Sequence, residues 1–220
     1  MFYTAVPAGV ASLIGKISSF TLPDKTYMAG GTAVTLYLAH RVSVDIDLFT
    51  QKSFLTGPVI DSIKMNHSVR VENLSDRDSL VVNVDGIRFS LFYYPYRLIE
   101  PVYNNIDLKV ALASLMDIAA MKTVAIVQRG TAKDFVDLKA IIDATGIPLN
   151  LLIRATLDKY NMGEDYSYHI RRGLVYFDEA EMEINSVVLL DRGFSQSIMS
   201  KKQWEDIRKF FTNLVINNHQ

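Results

Sequence analysis

Two aspartates set two residues apart, Asp45 and Asp47, and the glycine pair Gly30-Gly31 ahead of them are the residues whose types and spacing point to chemistry. Residues two apart on a strand face the same way. A strand over 44–49 therefore puts both carboxylates side by side and turns Val44, Ile46 and Leu48 toward a core. Two close, unpaired carboxylates repel each other, and a divalent cation relieves the repulsion. Mg²⁺ in particular takes one or two carboxylates and completes its shell with substrate phosphates. Gly30-Gly31 stand ahead of an apolar helix, where bare backbone N–H groups and the helix N-terminus hold phosphate. In this order and spacing the two motifs read as a site for a Mg²⁺-bound nucleoside triphosphate. Singly each is weak, because Asp-x-Asp arises by chance and Gly-Gly commonly marks a turn.

The elements that must position these residues are legible in the hydropathy pattern. Apolar positions at helical spacing (Val6, Val10, Leu13, Ile14, Ile17, Phe20) predict a helix over 4–20, broken at Leu22-Pro23-Asp24. Residues 26–29 read as a short strand entering the glycines, and 32–39 as a buried helix. His40-Arg41 then reads either as a cation at the helix C-terminus or as a phosphate-reaching pair, with Arg41 the better suited by its fork. Ser43 is a turn hydroxyl or a ligand. A helix over 56–65, capped by Ser53 or Thr56, precedes strands at 69–74 and 80–84. Asp85-Gly86 is a two-residue hairpin signal, with 87–93 as the return strand. Alternation there sets Ile87, Phe89, Leu91 and Tyr93 on one face and Arg88, Ser90 and Phe92 on the other. The aromatics of Tyr93-Tyr94-Pro95-Tyr96 either rim the core or stack on a base.

Beyond residue 110 the pattern turns helical. Residues 113–128 are apolar on nearly every side, and Lys122 is the sole charge between Ile118 and Val127. Burying an unpaired ammonium is costly, so Lys122 either snorkels outward or serves a site. Arg129-Gly130 ends this helix, and Thr131 caps another in which Asp134 and Asp137 share a face. These two aspartates read either as a self-paired surface or as partners of Lys122 and Arg129. Further helices are expected over 149–160, 165–177 and 201–215, with an acidic, exposed stretch over 178–186. A soft boundary near 105–110 divides an α/β core, 1–108, from a helical domain, 109–220, that completes the cleft.

Composition narrows the function classes. The chain has 220 residues, 49% of them apolar, enough for a large core. A net charge of −1 makes it no polyanion binder overall, so nucleic-acid contacts need a local patch. Cysteine is absent, which removes disulfides, thiolate zinc sites and cysteine nucleophiles and fits a cytoplasmic protein. No basic region followed by a long apolar run opens the chain, so no signal peptide is expected. No membrane span is expected either.

The spaced set Gly30-Gly31-Thr32, His40-Arg41, Ser43, Asp45-x-Asp47-Leu48-Phe49, the run from Ala113 to Lys122, and Arg129-Gly130-x-x-Lys133-Asp134-Phe135-x-Asp137-Leu138 resembles the AbiEii/AbiGii-type nucleotidyltransferase family, over roughly residues 25–145. That family supplies the toxins of type IV toxin–antitoxin and abortive-infection pairs. The resemblance implies an α+β fold with a polymerase-β-like core, a small mixed sheet with flanking helices, and a C-terminal helical part. It implies that Gly30, Gly31 and Thr32 hold the triphosphate, with Arg41 and Ser43 beside them. Asp45 and Asp47 would bind Mg²⁺, in a one- or two-metal site. Lys122, Arg129, Lys133, Asp134 and Asp137 would complete the nucleotide and acceptor side. The activity implied is transfer of NMP from an NTP to an RNA 3′ end, tRNA included, or to a protein hydroxyl, with a cognate antitoxin as partner. Positioning and charge neutralisation supply most of such catalysis. One position departs from the pattern. Ser90 stands where such cores place a third carboxylate, and a serine is a poor metal ligand and no carboxylate base. Asp134 is then the replacement acid, or the protein binds nucleotide or a partner without efficient transfer.

Overall fold

The computed structural model describes residues 1–104 and 108–217. The boundary expected near 105–110 falls partly on 105–107, outside the described residues. In chain order the helices are α1 (Ala8–Ile14), α2 (Gly30–Leu38), α3 (Thr56–Lys64), α4 (Leu115–Gln128), α5 (Ala132–Thr145), α6 (Leu149–Tyr160), α7 (Tyr166–Gly173), α8 (Asp178–Glu181) and α9 (Lys201–Ile216). The strands are β1 (Tyr27–Ala29), β2 (Ile46–Thr50), β3 (Val69–Leu74), β4 (Ser79–Val84), β5 (Ile87–Tyr93), β6 (Tyr103–Asn104), β7 (Ala111–Leu112), β8 (Val188–Leu190) and β9 (Gln196–Ile198). The fold is α+β, a mixed sheet with flanking helices.

Seven strands form one sheet in the order β3-β4-β5-β2-β1-β7-β6. The pairs β2–β5 and β1–β7 are parallel and the rest antiparallel. The hairpin at Asp85-Gly86 forms as expected, with φ of 51° and 90° at the two turn residues. Register matters for the site. Asp47 lies opposite Ser90 on β5 and opposite Ala29 on β1, so the acid stands mid-sheet beside the chain that enters α2. The sheet also takes β7 from the second half of the chain, and one apolar core runs from Val6 to Val215. The two halves thus share both sheet and core.

Several local expectations are corrected. The helix over 4–20 is interrupted: Pro7 sets the start of α1, and after Gly15 the chain tightens into a 3₁₀ turn at Ile17–Ser19. The apolar positions that suggested it are nonetheless all buried. The glycines do not precede α2 but form its first turn. The acidic strand starts at Ile46, later than expected, because Val42 N–H is taken by the Val188 carbonyl and the Asp45 carbonyl by Thr32. Val44 is consequently 51% exposed instead of facing the core. Neither Ser53 nor Thr56 caps α3; Leu55 occupies that place, and the Thr56 hydroxyl donates to the Ser75 carbonyl (2.7 Å). The helix expected over 165–177 stops at Gly173. The β8–β9 hairpin falls between the acidic stretch and the last helix, in residues to which the sequence reading assigns no element.

Candidate active site

Gly30 and Gly31 are needed for what lies against them. Gly30 has φ +73°, and a Cβ there would sit 2.7 Å from Asp47 Oδ2. A Cβ on Gly31 would sit 2.0 Å from Arg41 Nη2. The pair therefore lets one carboxylate and one guanidinium close on the start of α2 from two sides. No side chain caps that helix start, so its first N–H groups remain available. The Thr32 hydroxyl bonds both the Asp45 carbonyl and the Ser43 hydroxyl (2.9 Å to Ser43), which ties the chain entering β2 onto α2. The C-terminal hairpin holds the same segment from the other side: Val42 N–H donates to Val188 (2.8 Å) and Leu190 N–H to His40 (3.1 Å).

These elements form one wall of a cleft of about 630 Å³. Asp45 and Asp47 line it, followed two residues on by Phe49. Asp47 Oδ1 accepts a hydrogen bond from the buried Ser90 hydroxyl (2.7 Å). Among the described residues no side chain pairs with the half-buried Asp45 carboxylate. Burial, then the charge of Asp47, push the Asp45 carboxyl above its usual range.

The facing wall, from α4 and α5 with Arg41 reaching across from the segment before β2, holds more cations than carboxylates and pairs each of its two α5 aspartates. Asp137 is fully buried and accepts from Arg41 through two nitrogens (2.6 and 2.9 Å), from His40 Nε2 (2.7 Å) and from Lys122 Nζ (2.6 Å). A carboxylate cannot donate, so Nε2 of His40 carries the hydrogen, and its buried Nδ1 has no partner. Lys122 also reaches Asp134 (3.0 Å). Asp134 in turn holds Arg129 (3.0 and 3.2 Å) and the Thr131 hydroxyl (2.8 Å). Burial opposes the charge on Asp137, but Arg41 and then Lys122 overcome it and hold the carboxyl well below its ordinary value. For Lys122, burial is likewise overcome by Asp137 and then Asp134, which keep its pKa above the ordinary lysine value. Burial pushes the His40 pKa below its ordinary value, against the pull of Asp137.

Of the residues singled out from sequence, Gly30, Gly31, Arg41, Ser43, Asp45, Asp47, Lys122, Arg129, Lys133 and Asp134 all line this one cleft. Thr32 and Asp137 stand behind its walls, where their bonds hold the lining residues in place. Lys122 neither snorkels nor stands alone. The alternatives left open for Asp134 and Asp137 resolve toward Lys122, Arg129 and Arg41. Asp134 has both oxygens engaged, a poor arrangement for a replacement base. Arg88, Glu183 and the rings of Phe49, Phe92 and Tyr160 also line the cleft. The strand alternation placed Arg88 and Phe92 on Ser90's face, but nothing in the local pattern marked Glu183 or Tyr160, which arrive through long-range packing.

Two carboxylates and an uncapped helix start form a hard-oxygen and phosphate-binding set that fits Mg²⁺ with a phosphate ligand. Among the described residues no group of three or more His, Cys, Asp or Glu gathers as a protein-only metal cage. No described helix is long and apolar enough to cross a membrane.

The family model described as nucleotidyl transferase AbiEii toxin, type IV TA system, matches residues 60–219. The match begins after the acidic strand and includes Lys122, Arg129, Lys133, Asp134 and Asp137. An uncharacterised protein of Aquifex aeolicus (strain VF5) is 36% identical over 202 residues, 91% of each chain. Two solved structures share the fold. MenT4, a nucleotidyltransferase toxin of Mycobacterium tuberculosis H37Rv, superposes with a TM-score of 0.53 at 13% identity, covering 96% of this chain and 86% of its own. JHP933 of Helicobacter pylori gives 0.51 at 16% identity, covering 94% and 87%. With its fold, its cleft and the matched segment in agreement, the chain belongs to the AbiEii nucleotidyltransferase toxin family of type IV toxin–antitoxin systems.

Proposed function

We propose that the cleft binds a Mg²⁺-bound nucleoside triphosphate and transfers its NMP to an RNA 3′ end or a protein hydroxyl, with release of pyrophosphate. The observation that carries this reading is the opposition of two carboxylates without a cationic partner to a wall with surplus positive charge. On that wall Arg41, Lys122, Arg129 and Lys133 outnumber Asp134 and Asp137 by two. A polyanion with its own cation complements both sides. Asp45 and Asp47 would hold Mg²⁺, whose contribution when bound is to neutralise phosphate charge and polarise the reacting phosphorus.

The protein groups do the rest. The first N–H groups of α2 face the β- and γ-phosphates. Lys133, which makes no ion pair among the described residues, and the partly exposed Arg129 reach the same charge. Lys122 and Arg41, locked on Asp134 and Asp137, act as positioning residues. Ser90 orients Asp47 and leaves Oδ2 directed at Gly30. The chemistry resembles other phosphoryl-transfer sites in relying on placement and charge. A cognate antitoxin and a cytoplasmic setting accord with the family.

Ser90 favours a second reading, in which the site binds nucleotide but transfers it poorly for want of a third carboxylate. Incubation with each labelled NTP, Mg²⁺ and total RNA or lysate separates the two. Label in a macromolecule that disappears in Asp47→Asn supports transfer. Calorimetric binding of Mg²⁺·NTP without label supports the second reading, and neither signal would remove both.

A further inference from the structure

We propose that the ring-lined end of the cleft seats the nucleobase of the bound triphosphate, an inference that rests on the nucleotide site proposed above. Both walls change character along their length. Entering and along β2 the cleft lining runs Asp45, Asp47, then Phe49; on β5 the parallel register adds Phe92 beside Phe49, just as Ser90 lies beside Asp47. On α4 the cleft lining runs from Ile118 and Met121 to Lys122 and Ala125, with Arg129 just past its end.

The two gradients meet like with like. The first turn of α4 carries Asp117, which bonds Lys159 Nζ on α6 (2.8 Å), and that ammonium lies 5.8 Å from the Tyr94 ring centroid and 6.0 Å from that of Tyr160. The Tyr94 ring stands 5.3 Å from Phe49. The apolar start of α4 thus adjoins the aromatic end of β2. At the other end Arg129 and Lys133 line the cleft with Asp45 and Asp47. The cleft therefore has one ionic end and one flat, apolar end, separated by about 6–7 Å of strand rise from Asp47 to Phe49. A ribose bridges a comparable span between a phosphate and a base.

The seat offers ring faces rather than readout. The hydroxyls of Tyr94 and Tyr160 bond each other, and the other lining groups there are apolar. Stacking tolerates any base and gains with ring area. Recognition at this end therefore accepts all four bases and favours the larger purines.

The test is calorimetry on the full chain with Mg²⁺ and non-hydrolysable analogues of ATP, GTP, CTP and UTP, beside Mg²⁺·tripolyphosphate, which has no base. Phe92→Ala should weaken every nucleotide by roughly 5- to 100-fold and leave tripolyphosphate within about twofold of wild type, as for a change independent of the phosphate site. Phe92→Trp should restore nucleotide affinity, and Phe92→Leu, which keeps an apolar side chain for the fold, should behave like the alanine variant. Nucleotide affinity unchanged in Phe92→Ala and Phe92→Leu overturns the seat. So does an equal loss for nucleotide and tripolyphosphate. Wild type binding nucleotides no better than tripolyphosphate also overturns the seat while the phosphate site stands. Binding of neither removes the nucleotide site and the seat with it.

Discussion

The two walls of the cleft handle charge in opposite ways. On the helical wall each buried carboxylate is saturated: Asp137 by Arg41, His40 and Lys122, Asp134 by Lys122, Arg129 and Thr131. On the strand wall, among the described residues, Asp45 has no cationic partner in contact and Asp47 has only a serine hydroxyl. Charges that serve the fold are paired, because an uncompensated buried charge is expensive. Charges left unpaired at a cleft store a penalty that a bound cation relieves, as perturbed functional groups commonly do. The difference gives the paired carboxylates Asp134 and Asp137 an architectural role and, in the proposed reading, leaves Asp45 and Asp47 to the ligand together with Arg129 and Lys133.

The comparison breaks most visibly at Asp137. Asp137→Ala strands Arg41 and Lys122 in the interior and should cost about 3–5 kcal/mol of stability, read by urea unfolding. Asp137→Asn, which keeps hydrogen-bond acceptance at one oxygen, should cost less. Gly31→Ala pushes a methyl into the Arg41 guanidinium and should cost about 1–3 kcal/mol by overpacking, read from the same curves. It should also weaken nucleotide binding by displacing the chain at α2.

Acid sharpens the comparison further. The His40 pKa is lowered in the fold, so the unfolded chain takes up the proton first, and stability should begin to fall below about pH 6.5. Asp134 and Asp137 titrate lower in the fold than when unfolded. Their contribution is full above about pH 4 and is lost as pH falls through their folded values. Thermal melts from pH 8 to 3 should show both descents, and the second should shrink in Asp137→Asn. The smallest effect expected is at Ser90. Ser90→Ala removes one hydrogen bond to Asp47, costing about 0.5–1.5 kcal/mol, and should appear mainly as weaker Mg²⁺·nucleotide binding.

Much of this was legible before any coordinates. Alternation located β4 and β5 and the hairpin between them, and the isolation of Lys122 on an apolar helix marked it as a residue with a buried partner. Asp134 and Asp137 stood among its possible partners; the further tie to Arg41 is not legible in the sequence. That Asp137 takes Arg41 from nearly a hundred residues away (sequence separation 96) depends on how α5 packs on α2, which periodicity does not encode. A second use of Gly31 is not legible either: its bareness also makes room for the Arg41 guanidinium. The β8–β9 hairpin escaped because a three-residue strand carries little pattern of its own, although the apolar residues 187–190 leading into Asp191-Arg192-Gly193 held a turn signal.

The most direct measurement is paired calorimetry and melting of wild type and Asp45→Asn with Mg²⁺ and a non-hydrolysable NTP. If the strand wall is built for ligand, the variant loses binding by roughly 100-fold or more, the scale of one removed charge-stabilising group. It also melts at the same or a higher temperature, because a like-charge repulsion is gone. Unchanged binding, or a drop in melting temperature as large as that of Asp137→Ala, would contradict that assignment.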